Sequence, residues 1–485
     1  MPRKLVTGQP ISLLDGIDRK NGTIIDKKHD LYGQSISGVE LSFPKSSGST
    51  VGVMSLIELK ENNKAPSKII LEEPDTNVIA GCILAGIPIS IKGIYPQKIS
   101  NDELNKISHL PKFLQDLLIK EAEILGAKGF IPIERVQIAG VSYKTIGDGG
   151  IKVLKYFSDK NLKFIVPTTL NPVGMDLENW EKQGIPSEFA KKQEEIIDLF
   201  KKMGATLTVS CIPYDLVELT EGSHVAFGES SAVAYINSVL NVKTNRENAV
   251  KTLISALSGF TTNFGMHIKE NRNPDVEIKV ECDLKSRADF GALGYFAGLI
   301  SQFPYYRGIK PNQTQLKAIA AAGAASGSIS LFFIEDIPKM QPDNTNNIKK
   351  KVKFTERELK KVYNELNTTK KDPELISIGC PHLNAQELKE FISFIKYKKL
   401  KVPMWISTAK PFKDELGEIL INELENQNIN IYSDCCVVVS PIELMGFKII
   451  GTDSAKAAKY LPQMSKCDVV FKSIEDFVNL YGIER

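Results

Sequence analysis

The segment 187–211, SEFAKKQEEIIDLFKKMGATLTVSC, shows how most of this chain is built. Its apolar residues recur at helical spacing as far as Met203, Gly204 then ends the helix, and the alternating run 206–210 is typical of a strand. The same order of helix, glycine or proline turn and strand recurs from Glu121 onward. This pattern predicts an α/β fold, with a large multi-layer α/β domain built on doubly wound sheets.

The beginning of the chain follows a different pattern. Short apolar runs at 38–43, 69–71 and 83–91 are separated by Gly, Pro, Asp and Ser residues. Such short runs between turn-forming residues are typical of strands. We therefore interpret residues 1–95 as a small β-rich domain at the N-terminus and residues 96–485 as the large domain.

The composition excludes several classes of partner. The 485 residues include 61 basic and 58 acidic side chains, and the net charge of +3 is too small for general binding to nucleic acid or to an anionic membrane. The most apolar stretch, 318–333, is interrupted by Gly and Ser and is shorter than the roughly 20 residues that cross a bilayer. Seven cysteines without close spacing, and an N-terminus without a signal sequence, favour a cytoplasmic protein with reduced thiols.

Three cysteines stand at the ends of predicted strands. Cys211, Cys380 and Cys436 each follow such a strand, and ligands of an open α/β sheet collect at the carboxyl ends of its strands. Three converging thiolates without a fourth would suit an iron-sulfur cluster with one open iron, or a metal ion with one vacant position. The alternative is that they are small buried apolar residues, as most free cysteines are.

A turn rich in glycine and serine, Ser47-Gly48-Ser49-Thr50, precedes a predicted helix in the N-terminal domain. Backbone N–H groups at the start of a helix can hold a phosphate or carboxylate, or ease the ionisation of a serine. The alternative is a simple helix cap. The five histidines have no spacing typical of metal ligands, so we assign none of them to a metal.

Ordered motifs along nearly the whole chain resemble those of the aconitase X family, and within it those of the archaeal phosphomevalonate dehydratases. The matching motifs are DKKH (26–29), GSTVG (48–52), AGCILAGIP (80–88), GVSY (140–143), TTLNPVGMD (168–176), CIPY (211–214), ESSAV (229–233), TNRE (244–247), GCPH (379–382) and SDCC (433–436). In that family the two parts are often separate chains. The resemblance therefore implies that a swivelling domain of the small-subunit type, residues 1–95, is fused to a part of the large-subunit type, so that no separate small subunit is needed.

The resemblance also implies an activity and the residues that perform it. The activity is removal of water from (R)-5-phosphomevalonate, a small phosphorylated hydroxy acid, to give trans-anhydromevalonate 5-phosphate in the archaeal mevalonate route to isoprenoids. It implies an iron-sulfur cluster, of the 4Fe-4S type, with Cys211, Cys380 and Cys436 as ligands. Ser49 corresponds to the proton acceptor. The substrate-binding positions carried over are Gly140, Val141, Ser142, Asn171, Pro172 and Lys456.

The chain departs from the family pattern at a few positions. Lys45-Ser46-Ser47 stands where archaeal members usually have a basic residue between glycines, so the resemblance does not identify the residues that hold the phosphate. Cys436, rather than its neighbour Cys435, is the expected ligand from the register with the valines that follow. Two alternative functions stay open: dehydration of cis-3-hydroxy-L-proline by a member of the same family, and a non-catalytic protein whose cysteines hold a structural metal or nothing.

Overall fold

The N-terminal part of the chain forms a small parallel sheet in the computed structural model, which describes residues 3–13, 16–47, 53–395 and 398–484. Its elements are β1 (Lys4–Val6), β2 (Ile11–Ser12), β3 (Ile17–Asp18), β4 (Thr23–Ile24), β5 (Glu40–Phe43), β6 (Ser46–Ser47), α1 (Val53–Glu61), β7 (Lys68–Leu71), α2 (Thr76–Ala85) and β8 (Ile89–Ile91). Strands β1, β5, β7 and β8 are parallel and lie in that order. Helices α1 and α2 pack against each other, and two short strand pairs, β2–β6 and β3–β4, complete this part.

Part of the run 83–91, predicted to be a strand, belongs to helix α2 instead. The carboxylate of Asp75 accepts hydrogen bonds from two backbone N–H groups of the first turn, at 2.9 and 3.2 Å, and Gly86 ends the helix with a φ of 62°. Only Ile89–Ile91 forms a strand. A short apolar run is compatible with either element, so the run itself could not separate them.

The next part of the chain supplies the first sheet of the large domain. Its elements are α3 (Asn101–Ile107), α4 (Lys112–Leu125), β9 (Phe130–Pro132), β10 (Val136–Ile138), α5 (Tyr143–Asp159), β11 (Thr168–Leu170), α6 (Trp180–Gln183), α7 (Ser187–Met203), β12 (Ala226–Phe227), α8 (Ser230–Val239), α9 (Ala249–Ser258) and β13 (Phe260–Thr262). Strands β11, β10 and β12 are parallel in that order, and β9 pairs with β13 antiparallel. Helix α7 agrees with the prediction, whereas the predicted strand 206–210 runs beside β11 and forms a single bridge, between Val209 and Leu170.

Two further parallel sheets complete the large domain. Their elements are β14 (Val276–Val280), α10 (Arg287–Gly298), β15 (Pro304–Arg307), α11 (Gln313–Gly327), β16 (Phe333–Ile334), β17 (Lys350–Phe354), α12 (Glu356–Leu366), β18 (Leu375–Leu383), α13 (Ala385–Ile395), β19 (Lys398–Leu400), β20 (Met404–Thr408), α14 (Lys410–Asp414), α15 (Glu418–Asn426), β21 (Ile429–Ser433), β22 (Ile449–Thr452), α16 (Ala455–Met464), β23 (Asp468–Phe471), α17 (Ile474–Tyr481) and β24 (Gly482–Glu484). The strand orders are β16-β15-β14-β17 and β21-β20-β18-β22-β23, and β19 pairs with β24. In each of these two sheets the strand that comes first in the sequence, β14 or β18, lies inside the sheet, and later strands are added on both sides of it. The predicted α/β class with doubly wound sheets is therefore confirmed.

Glycine-rich helices form a rigid layer in the middle of the large domain. Helices α10 and α11 pack so closely that a Cβ atom on Gly327 would lie 1.5 Å from the carbonyl oxygen of Gly298. Helix α11 also contacts α8 and α16. Within the described residues, no helix combines the length and apolar character needed to span a bilayer.

The N-terminal domain docks on the large domain through the start of α2. The side-chain amide of Asn248 donates a hydrogen bond to the carbonyl oxygen of Thr76 at 2.8 Å, and α2 packs against α4 and α9. The carboxylate of Asp75 also accepts hydrogen bonds from the backbone N–H and the hydroxyl of Ser46, both at 2.6 Å. Strand β6 is therefore held close to the loop that precedes α9.

Candidate active site

The carboxyl ends of two parallel sheets border one cavity. The segments that follow β10, β11 and β12 reach it from one side, and β18 with the segments after β21 and β22 reach it from the other. The enclosed space between them is about 90 Å³. Its walls include every predicted site residue that the structure describes: Gly140, Val141, Ser142, Asn171, Pro172, Cys211, Cys380, Cys436 and Lys456. Ser49 lies outside the described residues.

Positive φ angles occur just before two of the cysteines. Gly379 precedes Cys380 with a φ of 95°, and a Cβ atom there would lie 2.2 Å from the carbonyl oxygen of Ser407. Asp434 has a φ of 65° two residues before Cys436. Any larger residue at position 379 would displace the strand that carries Cys380, which is the physical reason for the glycine.

The two adjacent cysteines have different surroundings. Cys436 lines the cavity, whereas Cys435 is 2% exposed and its sulfur accepts a hydrogen bond from the side-chain amide of Gln183 at 3.6 Å. Burial raises the pKa of the Cys435 thiol. A ligand in the cavity can therefore reach Cys436, while Cys435 is a neutral buried thiol.

The three cavity thiols interact with one another and with Lys456. A hydrogen bond between Cys436 and Cys380 lowers the pKa of Cys380 and raises that of Cys436. Burial, followed by the charge of Glu229, raises the pKa of Cys211 to about 12. The charge of Lys456 favours the ionised form of each of these thiols, but the pKa of Cys211 and that of Cys436 stay raised overall. A nearby cation of this kind favours thiolates, which are the form that binds metals.

Lys456 is itself paired with a buried carboxylate. Its ammonium forms an ion pair with Glu229, which also accepts hydrogen bonds from the amide of Asn171 at 2.8 Å and the hydroxyl of Ser231 at 2.9 Å. Burial alone would raise the pKa of Glu229, but the charge of Lys456 and these hydrogen bonds lower it to about 2. Glu229 is therefore ionised, and it orients Lys456 and Asn171 at the cavity wall.

Two further buried cations support the segment that carries Cys380. Arg287 donates to the carbonyl oxygen of Pro381 at 3.1 Å, and Lys317 donates to that of His382 at 3.0 Å. The carboxylates that pair with these cations are Asp453, at 3.0 Å, and Glu387, at 2.5 Å. Each cation thus has a counter-ion and still fixes the backbone just after Cys380.

Two charged residues of the cavity were not among the predicted site residues. Glu229 and Arg246 both line it, and Arg246 also lines a second cavity, of about 200 Å³, that reaches Ser46 of the N-terminal domain. The guanidinium of Arg246 donates to the hydroxyl of Ser328 at 2.6 Å. The sequence indicates a role for Glu229 and Arg246 only through their positions in the motifs ESSAV and TNRE. The other additional wall residues are Thr145, Ser230, Pro381, Val438, Val439, Tyr460 and Met464.

The histidines take no part in the cavity wall. His382 is fully buried behind Cys380, and burial lowers its pKa to about 4. His224 and His267 contact each other elsewhere, with 2.9 Å between their Nδ1 atoms. Among the residues that the structure describes, no group of three or more His, Cys, Asp or Glu side chains is arranged to hold a single metal ion. All seven cysteines are free thiols.

A cavity at the carboxyl edges of parallel sheets, lined by thiols and paired charges, is typical of the active site of an α/β enzyme. Comparison with known proteins identifies the family. Sequence models of four aconitase X domains match the chain: the swivel domain (3–108), the first domain (105–270), the second domain (274–364) and the third domain (373–481). The chain belongs to the aconitase X family, and it carries the swivel domain and the other three domains in one polypeptide.

The relatives define the class of reaction. The chain is 40% identical over 379 residues to the phosphomevalonate dehydratase large subunit of Methanocaldococcus jannaschii, covering 75% of this chain and 94% of the relative. It is 41% identical over 104 residues to the phosphomevalonate dehydratase small subunit of Thermococcus gammatolerans, covering 21% of this chain and 79% of the relative. It is 26% identical over 552 aligned positions to the cis-3-hydroxy-L-proline dehydratase of Pseudomonas aeruginosa, covering 98% of this chain and 95% of the relative.

A solved structure has the same fold. The crystal structure of the holo-form of aconitase X from Thermococcus kodakaraensis matches with a TM-score of 0.71 and 32% identity, covering 79% of this chain and 100% of that one. The named relatives are dehydratases. The protein is therefore a hydro-lyase, as the resemblance predicted, and the alternative of a non-catalytic metal-binding protein is excluded.

The Glu229→Gln substitution should destabilise the protein, because it leaves the ammonium of Lys456 buried without its carboxylate. Loss of one partner of a buried ion pair costs about 3–5 kcal/mol, and we expect a change of that size in urea-induced unfolding of the ligand-free protein. The matched control is Glu335→Gln, since Glu335 pairs with Arg307 at the surface. That variant should stay close to the wild type, and equal stability of the two variants would contradict the role given to Glu229.

Proposed function

We propose that the protein dehydrates (R)-5-phosphomevalonate to trans-anhydromevalonate 5-phosphate in the mevalonate route to isoprenoids. The observation that carries this proposal is the convergence of Cys211, Cys380 and Cys436 with the segments after β10 and β11 on one cavity. The reaction breaks a C–H bond next to the carboxylate and the C–O bond of the tertiary hydroxyl, forms a C=C bond and releases water. The site must therefore hold the carboxylate, accept a proton and assist the departure of hydroxide.

Two features favour phosphomevalonate over cis-3-hydroxy-L-proline as the substrate. The chain is more similar to relatives named phosphomevalonate dehydratase than to those named hydroxyproline dehydratase. The cavity is also lined by two cations, Lys456 and Arg246. On this wall the two cations outnumber the single carboxylate of Glu229, which suits a substrate with a carboxylate and a phosphate better than hydroxyproline, which has one carboxylate and a cationic amine. The hydroxyproline reaction is therefore the second candidate.

The donor set around the cavity fits an iron-sulfur cluster of the 4Fe-4S type. Cys211, Cys380 and Cys436 present three free thiols from three separate segments, and cysteine thiolates are the ligands of such clusters. When bound, a cluster with one open iron would supply Lewis-acid polarisation of the substrate hydroxyl and carboxylate.

We assign the remaining steps of the reaction to side chains and backbone groups of the protein. We assign proton removal from the carbon beside the carboxylate to the hydroxyl of Ser49. Lys456, oriented by Glu229, would bind an anionic oxygen of the substrate. Polar groups of the segments 140–142 and 171–172 would hold the substrate and stabilise the negative charge that develops next to its carboxylate. Closure of the N-terminal domain over the cavity would exclude water.

The same proposal assigns the protein to the cytoplasm, with a small molecule as its partner. Ligation of iron needs reduced thiols, which a reducing compartment maintains. The swivel domain is part of the chain, so the proposed activity needs no separate small subunit. We propose no interaction with nucleic acid or with a membrane.

The substrate is tested with anaerobically purified protein, reconstituted with iron and sulfide. We expect mass spectrometry to detect loss of one water from (R)-5-phosphomevalonate and no change in cis-3-hydroxy-L-proline. Loss of water from hydroxyproline alone would keep the fold and the reaction class but overturn the substrate. A protein that binds a cluster and acts on neither compound would overturn the proposed function.

The cluster ligands are tested by a pair of neighbouring substitutions. Cys436→Ser should strongly reduce the iron and sulfide bound per chain, because the cavity loses one of its three thiolates. Cys435→Ser should bind as much as the wild type, since that thiol faces Gln183 instead of the cavity. The reverse result would assign the ligand role to Cys435.

The proposed base is tested by Ser49→Ala, with Ser67→Ala, an exposed serine of the same domain, as the control. Removing a general base typically costs 10²–10⁴-fold in rate, so we expect turnover by Ser49→Ala to fall by about that factor while its iron content stays unchanged. Ser67→Ala should keep its activity. A cluster-loaded Ser49→Ala protein with full turnover would exclude Ser49 as the base.

A further inference from the structure

One buried histidine contacts the segments of all three cavity cysteines. His382 follows Cys380 by two residues and has no exposed surface. Its Nδ1 lies 3.1 Å from the hydroxyl oxygen of Ser210, the residue before Cys211. Its Nε2 lies 2.8 Å from the carbonyl oxygen of Cys435, the residue before Cys436. A single imidazole ring therefore bridges segments that are far apart in the sequence.

The partners fix which ring nitrogen of His382 carries the proton. A carbonyl oxygen can only accept, so Nε2 donates to Cys435. In the neutral ring Nδ1 then accepts, and its donor is the hydroxyl of Ser210. The hydroxyl oxygen of Ser210 in turn accepts a hydrogen bond from the backbone N–H of Ile212 at 3.2 Å. Every polar atom in this hydrogen-bond network is therefore assigned as a donor or an acceptor.

The backbone of His382 adds two contacts to those of its ring. Its N–H donates to the sulfur of Cys211 at 3.1 Å. Its carbonyl oxygen accepts from the buried ammonium of Lys317 at 3.0 Å, which fixes the histidine from the opposite side. His382 is thus joined to both other cysteine segments by its side chain and to one cysteine sulfur by its backbone.

We propose that His382 is a positioning residue that holds Cys211, Cys380 and Cys436 at the mutual spacing an iron-sulfur cluster needs. The role rests on the proposed function, because it acts on the cluster ligands. Three ligands from separate loops bind a rigid group well only when their spacing is fixed before binding. Hydrogen-bond partners that orient metal ligands typically contribute 10–100-fold to metal affinity.

The test compares cluster retention in His382→Leu with that in His267→Leu. His267 is also a buried histidine, but it contacts His224 and does not line the cavity, so it controls for loss of a buried imidazole. Each protein is reconstituted with iron and sulfide, and the measurements are iron per chain, the rate of iron loss to a chelator and the electron paramagnetic resonance spectrum of the reduced cluster. Thermal unfolding of the cluster-free proteins reports their stability separately.

We expect His382→Leu to lose iron about 10–100-fold faster than the wild type and to show altered g-values, with His267→Leu unchanged in both. His382→Gln should be intermediate, because its amide can still donate to Cys435 but cannot also serve Ser210. The proposal is wrong if His382→Leu retains iron at the wild-type rate with the wild-type spectrum.

A second substitution keeps the proposal testable if His382→Leu does not fold. Ser210→Ala removes one of the two ring contacts and a single hydroxyl, and it should accelerate iron loss several-fold. A wild-type rate for Ser210→Ala would contradict the positioning role. A wild-type protein that takes up no cluster would overturn the proposed cofactor and this role with it, whereas normal uptake by the wild type and all variants would overturn the positioning role alone.

Discussion

The active-site cavity depends on a short contact between the carboxyl edges of two parallel sheets. Val173, after β11, pairs with Cys435, after β21, in a parallel bridge whose hydrogen bonds measure 3.0 and 3.1 Å. The hydroxyl of Ser142, after β10, donates to the carbonyl oxygen of Val439 at 2.9 Å. Because all strands of a parallel sheet end at the same edge, joining two such edges brings β18 and the segments after five other strands around one space. The cysteines and the proposed substrate-binding segments meet there for that reason.

The buried charges around the cysteines are better explained by function than by stability. Three cations lie near the thiols, and each has its own carboxylate: Lys456 with Glu229, Arg287 with Asp453 and Lys317 with Glu387. Burying an ion pair removes both charges from water, and the attraction between them offsets only part of this desolvation cost. Apolar residues of similar volume would therefore stabilise the fold as well or better. Beside thiolates, however, a fixed cation lowers the cost of their negative charge. The charged pairs would thus suit the thiolate ligands and the anionic substrate that we propose for this site.

The sequence predicted the features that arise from local pattern. The α/β class follows from alternating helices and strands, and the position of the cysteines at strand ends predicts that they converge. The capping box at the start of α12, between Thr355 and Glu358, likewise depends on residues only three positions apart. The boundary of α2 within 83–91 was wrong because a short apolar run suits a helix or a strand equally.

Features that depend on distant residues could not be predicted in this way. Glu229 and Lys456 are 227 positions apart, and Ser210 and His382 are 172 apart. No spacing rule connects such pairs, because they meet only when two sheets face each other. The candidate substrate-binding residues were identified through resemblance to a family. Physical reasoning on the sequence alone predicted that the three thiols converge, but it did not predict the charged side chains that surround them.

The N-terminal domain contacts the large domain through directional contacts and through apolar packing. Besides the hydrogen bond from Asn248 to the carbonyl oxygen of Thr76, the hydroxyl of Thr76 donates to the carbonyl oxygen of Arg246 at 3.5 Å, and Lys152 pairs with Glu61 at 3.6 Å. Helix α2 also packs on α4 and α9. A hydrogen bond of this kind contributes about 1 kcal/mol and a surface ion pair no more, so the closure that we propose for this domain would break only weak directional contacts. Because the two domains share one chain, this movement is intramolecular and does not depend on protein concentration. Such a closure would also move Ser46, which Asp75 joins to α2, relative to Arg246 at the cavity wall. The second cavity, beside Arg246, would therefore change its shape together with the position of α2.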